Sequence, residues 1–165
     1  MDGVPRPAFD RLVPVPERYA TLPIADAFDW DACADPEMAG EWYLVCFRSV
    51  RRSGADEAKL TELDDAAHTE ATTAPGFVHY FKGATTATGA CLSFCLWESR
   101  AHARTAAGRP LHVEATSVTG EMYASYRLEL YRVTKRPGSP RFEFEPYDGP
   151  DARPREMAGP RVQVA

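Results

Sequence analysis

The stretch Ala90–Trp97, ACLSFCLW, ends in an abrupt change of period, and that change limits the available folds more than any other feature. Ala90, Leu92, Phe94 and Leu96 alternate with Cys91, Ser93, Cys95 and Trp97. Alternate side chains of a strand lie on opposite faces, so this strand is apolar on both faces and both must be covered. At Trp97-Glu98-Ser99 the pattern turns helical. Ser99 suits an N-cap, because its hydroxyl can accept an unpaired amide of the first turn. An Ala- and Arg-rich helix follows, Gly108-Arg109-Pro110 breaks it, and a second helical piece starting near Pro110 carries His112 back over the sheet.

The same alternation marks three further strands, at about 41–50, 77–82 and 122–133. A helix at about 55–73 presents Leu60, Leu63, Ala67 and Ala71 as one buried stripe, and Glu57, Lys59, Glu62 and Asp65 to water. Residues 83–89, GATTATG, make a turn, so the second and third strands form a hairpin. The order is β-α-β-β-α-β, a ferredoxin-like α+β fold with an antiparallel sheet. Its helices cover one face only. The other face is apolar too, and the usual cover is a second sheet, which predicts a homodimer packed face to face.

Residues 1–38 read as an N-terminal extension, 39–135 as the ferredoxin-like domain and 136–165 as a C-terminal extension. Pro5, Pro7, Pro14, Pro16 and Pro23 forbid regular structure through most of the first segment. Its Phe9, Leu12, Tyr19, Phe28 and Trp30 nevertheless need burial, so it reads as an arm wrapped on the domain or on a partner subunit. Phe142-Glu143-Phe144 could add a short edge strand, and the Pro- and Arg-rich end reads as a loose tail. The net charge of −5 argues against nucleic-acid and anionic-membrane partners, which need a basic surface. The four cysteines form no CxxC pair, and neither a secretory signal nor a membrane span is visible, so a reduced, cytoplasmic protein is expected. The acidic run Asp26, Asp29, Asp31, Asp35 and Glu37 fits no calcium loop and reads as a solvated face. No GxGxxG, P-loop, HExxH or GxSxG pattern occurs.

The topology, the Pro75-Gly76 that ends the first helix, and the Trp97-Glu98-Ser99 strand end followed by a helix bearing His112 together resemble the antibiotic-biosynthesis-monooxygenase-like branch of the dimeric α/β-barrel superfamily. The resemblance covers a little over half the chain. It implies a homodimer and a monooxygenase-like oxidoreductase acting on a small aromatic molecule, a phenol, quinol or polyketide-like substrate, most simply without a cofactor. Haem-degrading members make haem the alternative cofactor, with Trp97 lining its pocket and His112 as the iron ligand. Two departures weigh against that alternative. Cys46, Phe47 and Arg48 stand where those enzymes carry an asparagine, and the interval from Trp97 to His112 is shorter. A non-oxidative isomerase or cyclase, or a small-molecule-binding protein, would use the same cleft.

The cleft expected between helices and sheet takes Trp97, Cys95 and Ser93 from one strand face, if Leu92, Phe94 and Leu96 face the other way. Strand one adds Tyr43 and Phe47, or Trp42 and Cys46, since the phase is not fixed by sequence. Helix one adds His68, and helix two adds His112. A neutral histidine can deprotonate an acidic phenol, so His112 is the expected base and Trp97 its catalytic neighbour. Ser93, Cys95, Phe47, Tyr43, His68, Arg104 and Arg109 are expected to contact substrate, the two arginines pairing with the anion. No metal is expected unless His112 binds haem. His79, between Phe77 and Phe81, reads as a packed or interfacial histidine.

Overall fold

The computed structural model describes residues 7–33 and 35–147. Strands β1 (Gly40–Arg51), β2 (Phe77–Phe81), β3 (Ala90–Trp97), β4 (Tyr123–Lys135) and β5 (Phe142–Pro146) form one antiparallel sheet in the order β2-β3-β1-β4-β5. Helices α1 (Ile24–Ala27), α2 (Glu57–Thr72), α3 (Arg100–Ala107), α4 (Pro110–Ser117) and α5 (Thr119–Met122) complete the described chain, with 3-10 turns at Phe9–Arg11 and Trp30–Cys33. The four-strand core has the expected ferredoxin-like order, and β5 extends it at the β4 edge.

Local signals set the helix ends. The Asp56 carboxylate accepts the Lys59 amide at 3.0 Å and starts α2. The Ser99 hydroxyl accepts the His102 amide at 3.3 Å and starts α3. After Gly108 the chain restarts as α4 with Pro110 in the first turn, where its missing N–H costs nothing. That turn is capped from outside: the amides of Leu111 and His112 donate to the Glu70 carboxylate of α2, at 3.2 and 3.3 Å.

Register assigns the faces. Tyr43 lies opposite Trp97, Val45 opposite Cys95, Phe47 opposite Ser93 and Ser49 opposite Cys91. These odd-numbered residues face α2–α4. A register shift between Val50 and Arg51 then pairs Arg51 with Tyr123. Leu44, Cys46, Leu92, Phe94, Leu96 and Val133, all 0% exposed, form the other face.

That second face is the one for which a partner's sheet was the expected cover. The chain's own N-terminal arm covers it. Phe9, Ile24, Phe28 and Trp30 are 2–5% exposed and pack in one cluster with Leu92, Phe94 and Leu96. The Phe28 and Trp30 rings sit 5.2 and 5.4 Å from the Phe94 ring. Each such side chain stabilises the fold by about 1.5–3 kcal/mol through burial. Polar ties fix the path. The Arg48 guanidinium donates to the carbonyls of Ala20 and Leu22, at 3.0 and 2.6 Å, and pairs with Glu129. Lys135, 2% exposed, donates from Nζ to the carbonyls of Pro36, Met38 and Arg136 at 2.9–3.2 Å. The apolar face that called for a second sheet is therefore covered within one chain. The arm is part of the core, and β5 makes residues 142–146 part of the sheet. The tail from 148 onward lies outside the described residues.

Candidate functional site

A chamber of about 260 Å³ lies between the odd-numbered face of the sheet and helices α2, α3 and α4. Its floor is the row Cys91, Ser93, Cys95 and Trp97 of β3, flanked by Val45 and Phe47 of β1 and by Tyr126 and Leu128 of β4. At the usual rise per residue this row is about 20 Å long. Its roof is the apolar stripe of α2 with Ala103 and Ala106 of α3 and His112 and Ala115 of α4. The stripe of alanines matters, because larger side chains there would fill the space.

The two ends differ. At the Trp97 end, Tyr43, Ala74, Trp97, Ala103 and Ala106 are buried together, with Phe77 edge-on to Trp97 at 5.6 Å. His112 enters here beside Glu70. Burial lowers the pKa of His112 and the Glu70 carboxylate raises it, with burial the larger effect, so the imidazole is neutral at neutral pH. From Cys95 toward Cys91 the walls are polar, with Tyr80 set opposite Cys95. The Tyr80 hydroxyl donates to Asp64 Oδ1 at 2.9 Å, and Lys82 Nζ lies 3.1 Å from Asp64 Oδ2 and 3.0 Å from Asp65. The His68 ring rests 4.5 Å from the Tyr80 ring. Burial and the Asp64 charge raise the Tyr80 pKa far above the phenol range, so this hydroxyl stays a donor.

The thiols are inert by the same physics. Burial and the nearby Asp64 push Cys95 far up, and burial with the Glu129 charge pushes Cys46 up to about 12. A thiolate is the reactive form, and neither site favours one.

The structure brings together His112, Trp97, Ser93, Cys95, Phe47 and His68 in the chamber wall. The open phase of β1 resolves in favour of Tyr43 and Phe47 over Trp42 and Cys46. Three expected contacts fall outside the wall. Tyr43 packs against Trp97 at the closed end, 5.5 Å from the Tyr147 ring, which Arg100 covers at 5.0 Å. Arg109 Nη1 donates to the Glu70 carbonyl at 3.2 Å and to Thr73 Oγ1 at 3.0 Å, joining the α3–α4 break to the end of α2. Arg104 of α3 does not line the chamber. The two arginines expected to pair with a substrate anion are thus absent from the wall, and Arg51 and Lys82 are the cations that line it.

Asp64, Tyr80, Lys82, Arg51 and Tyr123 went unread in the sequence. Asp64 carried a signal: it is one turn from Leu60, Ala67 and His68 on the inward side of α2, while its neighbour Asp65 faces water. His79 is packed, as expected, but against the chain's own arm, with its ring 6.3 Å from Phe9.

Residues 5–146, a span that includes the arm and β5, match the family model described as PB2B2.08-like. The chain belongs to this PB2B2.08-like family. The UPF0643 protein PB2B2.08 of Schizosaccharomyces pombe is 28% identical over 145 residues, covering 78% of this chain and 66% of the relative. The chain therefore spans a little under two thirds of that relative's length. Solved structures overlay on about half of the PB2B2.08-like chain. Rv0793 from Mycobacterium tuberculosis is 23% identical, covers 50% of this chain and 83% of its own, and has a TM-score of 0.45. SnoaB, a cofactor-independent oxygenase from Streptomyces nogalater, is 15% identical over 55% and 91%, with a TM-score of 0.43. NE2512, a protein of unknown function from Nitrosomonas europaea, is 14% identical over 56% and 88%, with a TM-score of 0.47.

Proposed function

We propose that this chain is a monooxygenase-like oxidoreductase acting on a small phenolic or quinol-type aromatic molecule held in the chamber. The observation that carries this reading is the half-buried, neutral imidazole of His112, which lines the same apolar, aromatic-walled space as Trp97. A flat ring system suits those walls. A neutral histidine is the right base for a phenol, and positioned proton transfer typically contributes about 10²–10⁴ in rate.

The chemistry then belongs largely to the substrate. His112 takes the phenolic proton. The electron-rich phenolate passes one electron to oxygen, and the radical pair joins at a ring carbon to give a peroxide anion. His112 returns its proton to that anion. Loss of water from the peroxide leaves a carbonyl: a substrate CH2 becomes C=O, one oxygen atom stays in the product and the other leaves as water. The protein holds the anion and excludes bulk water, which strengthens each electrostatic contact inside.

Haem fits the chamber poorly. Ligand pockets run about 300–1,000 Å³ for drug-sized molecules. The 260 Å³ here suits two or three fused rings rather than a porphyrin. No step is assigned to haem.

Oxygen uptake with anthrone- and naphthohydroquinone-type substrates tests the reading. The expected result is turnover that falls about 100-fold or more in His112→Ala. Turnover unchanged in that variant rejects His112 as the base. No uptake and no binding of any such aromatic rejects the reading as a whole.

A further inference from the structure

The polar end of the chamber holds two groups that each keep one buried atom without a hydrogen bond. Arg51 Nε is buried and has no acceptor among the described residues. Asp64 Oδ2 is likewise buried without a hydrogen-bond donor. Lys82 Nζ does lie 3.1 Å from that oxygen, but as an ion pair lacking hydrogen-bond geometry. Both residues line the chamber. Both also act on one hydroxyl: burial raises the pKa of Tyr123, the cross-strand partner of Arg51, the Arg51 charge opposes that rise and the Asp64 charge adds to it. A buried donor left unmade costs about 1–3 kcal/mol, and more when charged. Two such groups at one end of a cavity describe the ligand they lack: it must accept from Arg51 and donate to Asp64.

Charge narrows the choice. Arg51 is paired with Glu57, and Lys82 with Asp64 and Asp65. Both cations thus already have carboxylate partners, so the two open positions call for hydrogen bonds rather than for a further charge. We propose that the Arg51–Asp64 end of the chamber is a subsite for an uncharged function that both accepts and donates, a carboxamide-like group on the far side of the aromatic ring. Its carbonyl takes the Arg51 Nε hydrogen, and its N–H goes to Asp64 Oδ2. The inference rests on the proposed aromatic ligand and specifies its second end. It gives the substrate a direction, with the acidic hydroxyl toward His112 and Trp97 and the amide toward Cys91 and Tyr123.

Three probes of one shape test it: 2-naphthol, 6-hydroxy-2-naphthamide and 6-hydroxy-2-naphthoate, titrated by calorimetry into the full chain. The amide is expected to bind about tenfold tighter than both the naphthol and the carboxylate. In Arg51→Lys and in Asp64→Asn, each checked for a wild-type near-UV circular dichroism spectrum, the ratio of amide to naphthol affinity falls to about one. If one variant fails to fold, the other still decides. A carboxylate that binds as tightly as the amide, or an amide advantage that survives in a folded variant, overturns the subsite while leaving the aromatic reading intact. Failure of all three probes to bind overturns both.

Discussion

The Glu70 carboxylate accepts the backbone amide of His112 at 3.3 Å while its charge raises the pKa of the same residue's imidazole. One group thus caps α4 and tunes the proposed base. Replacing Glu70 with Gln keeps an acceptor for the Leu111 and His112 amides but removes the charge. The imidazole, already lowered by burial, moves further down. A base works when neutral, so the acid limb of kcat/KM shifts to lower pH in Glu70→Gln. The helix loses about 0.5–1 kcal/mol of charge–dipole stabilisation. Titration of the His112 ring proton by NMR checks the direction, and an acid limb that moves to higher pH would contradict the assigned coupling.

Acid sensitivity follows from two half-buried histidines. Burial lowers both His79 and His112 below the ordinary 6.5. The unfolded chain binds protons near that value, and the folded chain does so only at lower pH. Their contribution is intact above pH 6.5, falls as the pH drops through it, and levels off below the folded-state values. The thermal midpoint is expected to drop between about pH 7.5 and about pH 5.5. His79→Phe, which stays apolar among Phe9, Phe94 and their neighbours, should flatten that drop. An identical pH slope in the variant removes His79 from the account.

The arm's attachment makes a separate prediction. Arg48 is 16% exposed and Glu129 9%, so the pair is mostly out of water. Arg48→Met frees the carbonyls of Ala20 and Leu22 and leaves Glu129 to Arg127, 3.2 Å away. Because Arg127 still answers the carboxylate, the loss is at the low end for a broken buried pair, about 2–3 kcal/mol in urea unfolding. Amide exchange across 8–33 should quicken more than across β1 or β3. A chain cut to 39–165 bares Leu44, Leu92, Phe94 and Leu96 and should self-associate, whereas the intact chain should not pair through that face. Sedimentation velocity of the two forms, with arm exchange followed in the intact one, decides this. An intact dimer in which the arm loses protection would restore the face-to-face arrangement.

The body was legible in the sequence because its signals are local. Alternation in β1, β3 and β4, the Ser99 cap and the Gly108–Pro110 break each act within a few residues, and each reappears in the structure. The chamber's floor was legible too, since Trp97, Cys95 and Ser93 must share a face once Leu92 and Phe94 share the other. The cover of that other face was not. Phe9, Phe28 and Trp30 have no helical or strand period to say where they dock; the docking is fixed by Arg48 reaching Ala20 and Leu22, residues 28 and 26 positions away. Nor was the polar end, which forms only when a strand shift sets Arg51 against Tyr123 and α2 brings Asp64 over both.

Gly76 offers the sharpest test of the Pro75-Gly76 signal and its link to the WES strand end. Its φ is +75°, and a Cβ there would lie 2.2 Å from Cγ of His102, whose ring Nδ1 is 3.0 Å from the Ser99 hydroxyl. The Gly76 carbonyl also accepts the Glu98 amide at 2.8 Å. An alanine therefore meets two separate costs. The left-handed backbone costs about 1–2 kcal/mol for a residue with a side chain. The clash adds to it by pushing the His102 ring off Ser99 and loosening the α3 cap, by about 1 kcal/mol. Gly76→Ala should lose about 2–3 kcal/mol in urea unfolding. In a His102→Ala background the same change should lose only the backbone part, about 1–2 kcal/mol. Equal losses in the two backgrounds would mean that the His102 ring yields freely and that the glycine is there for its dihedral alone.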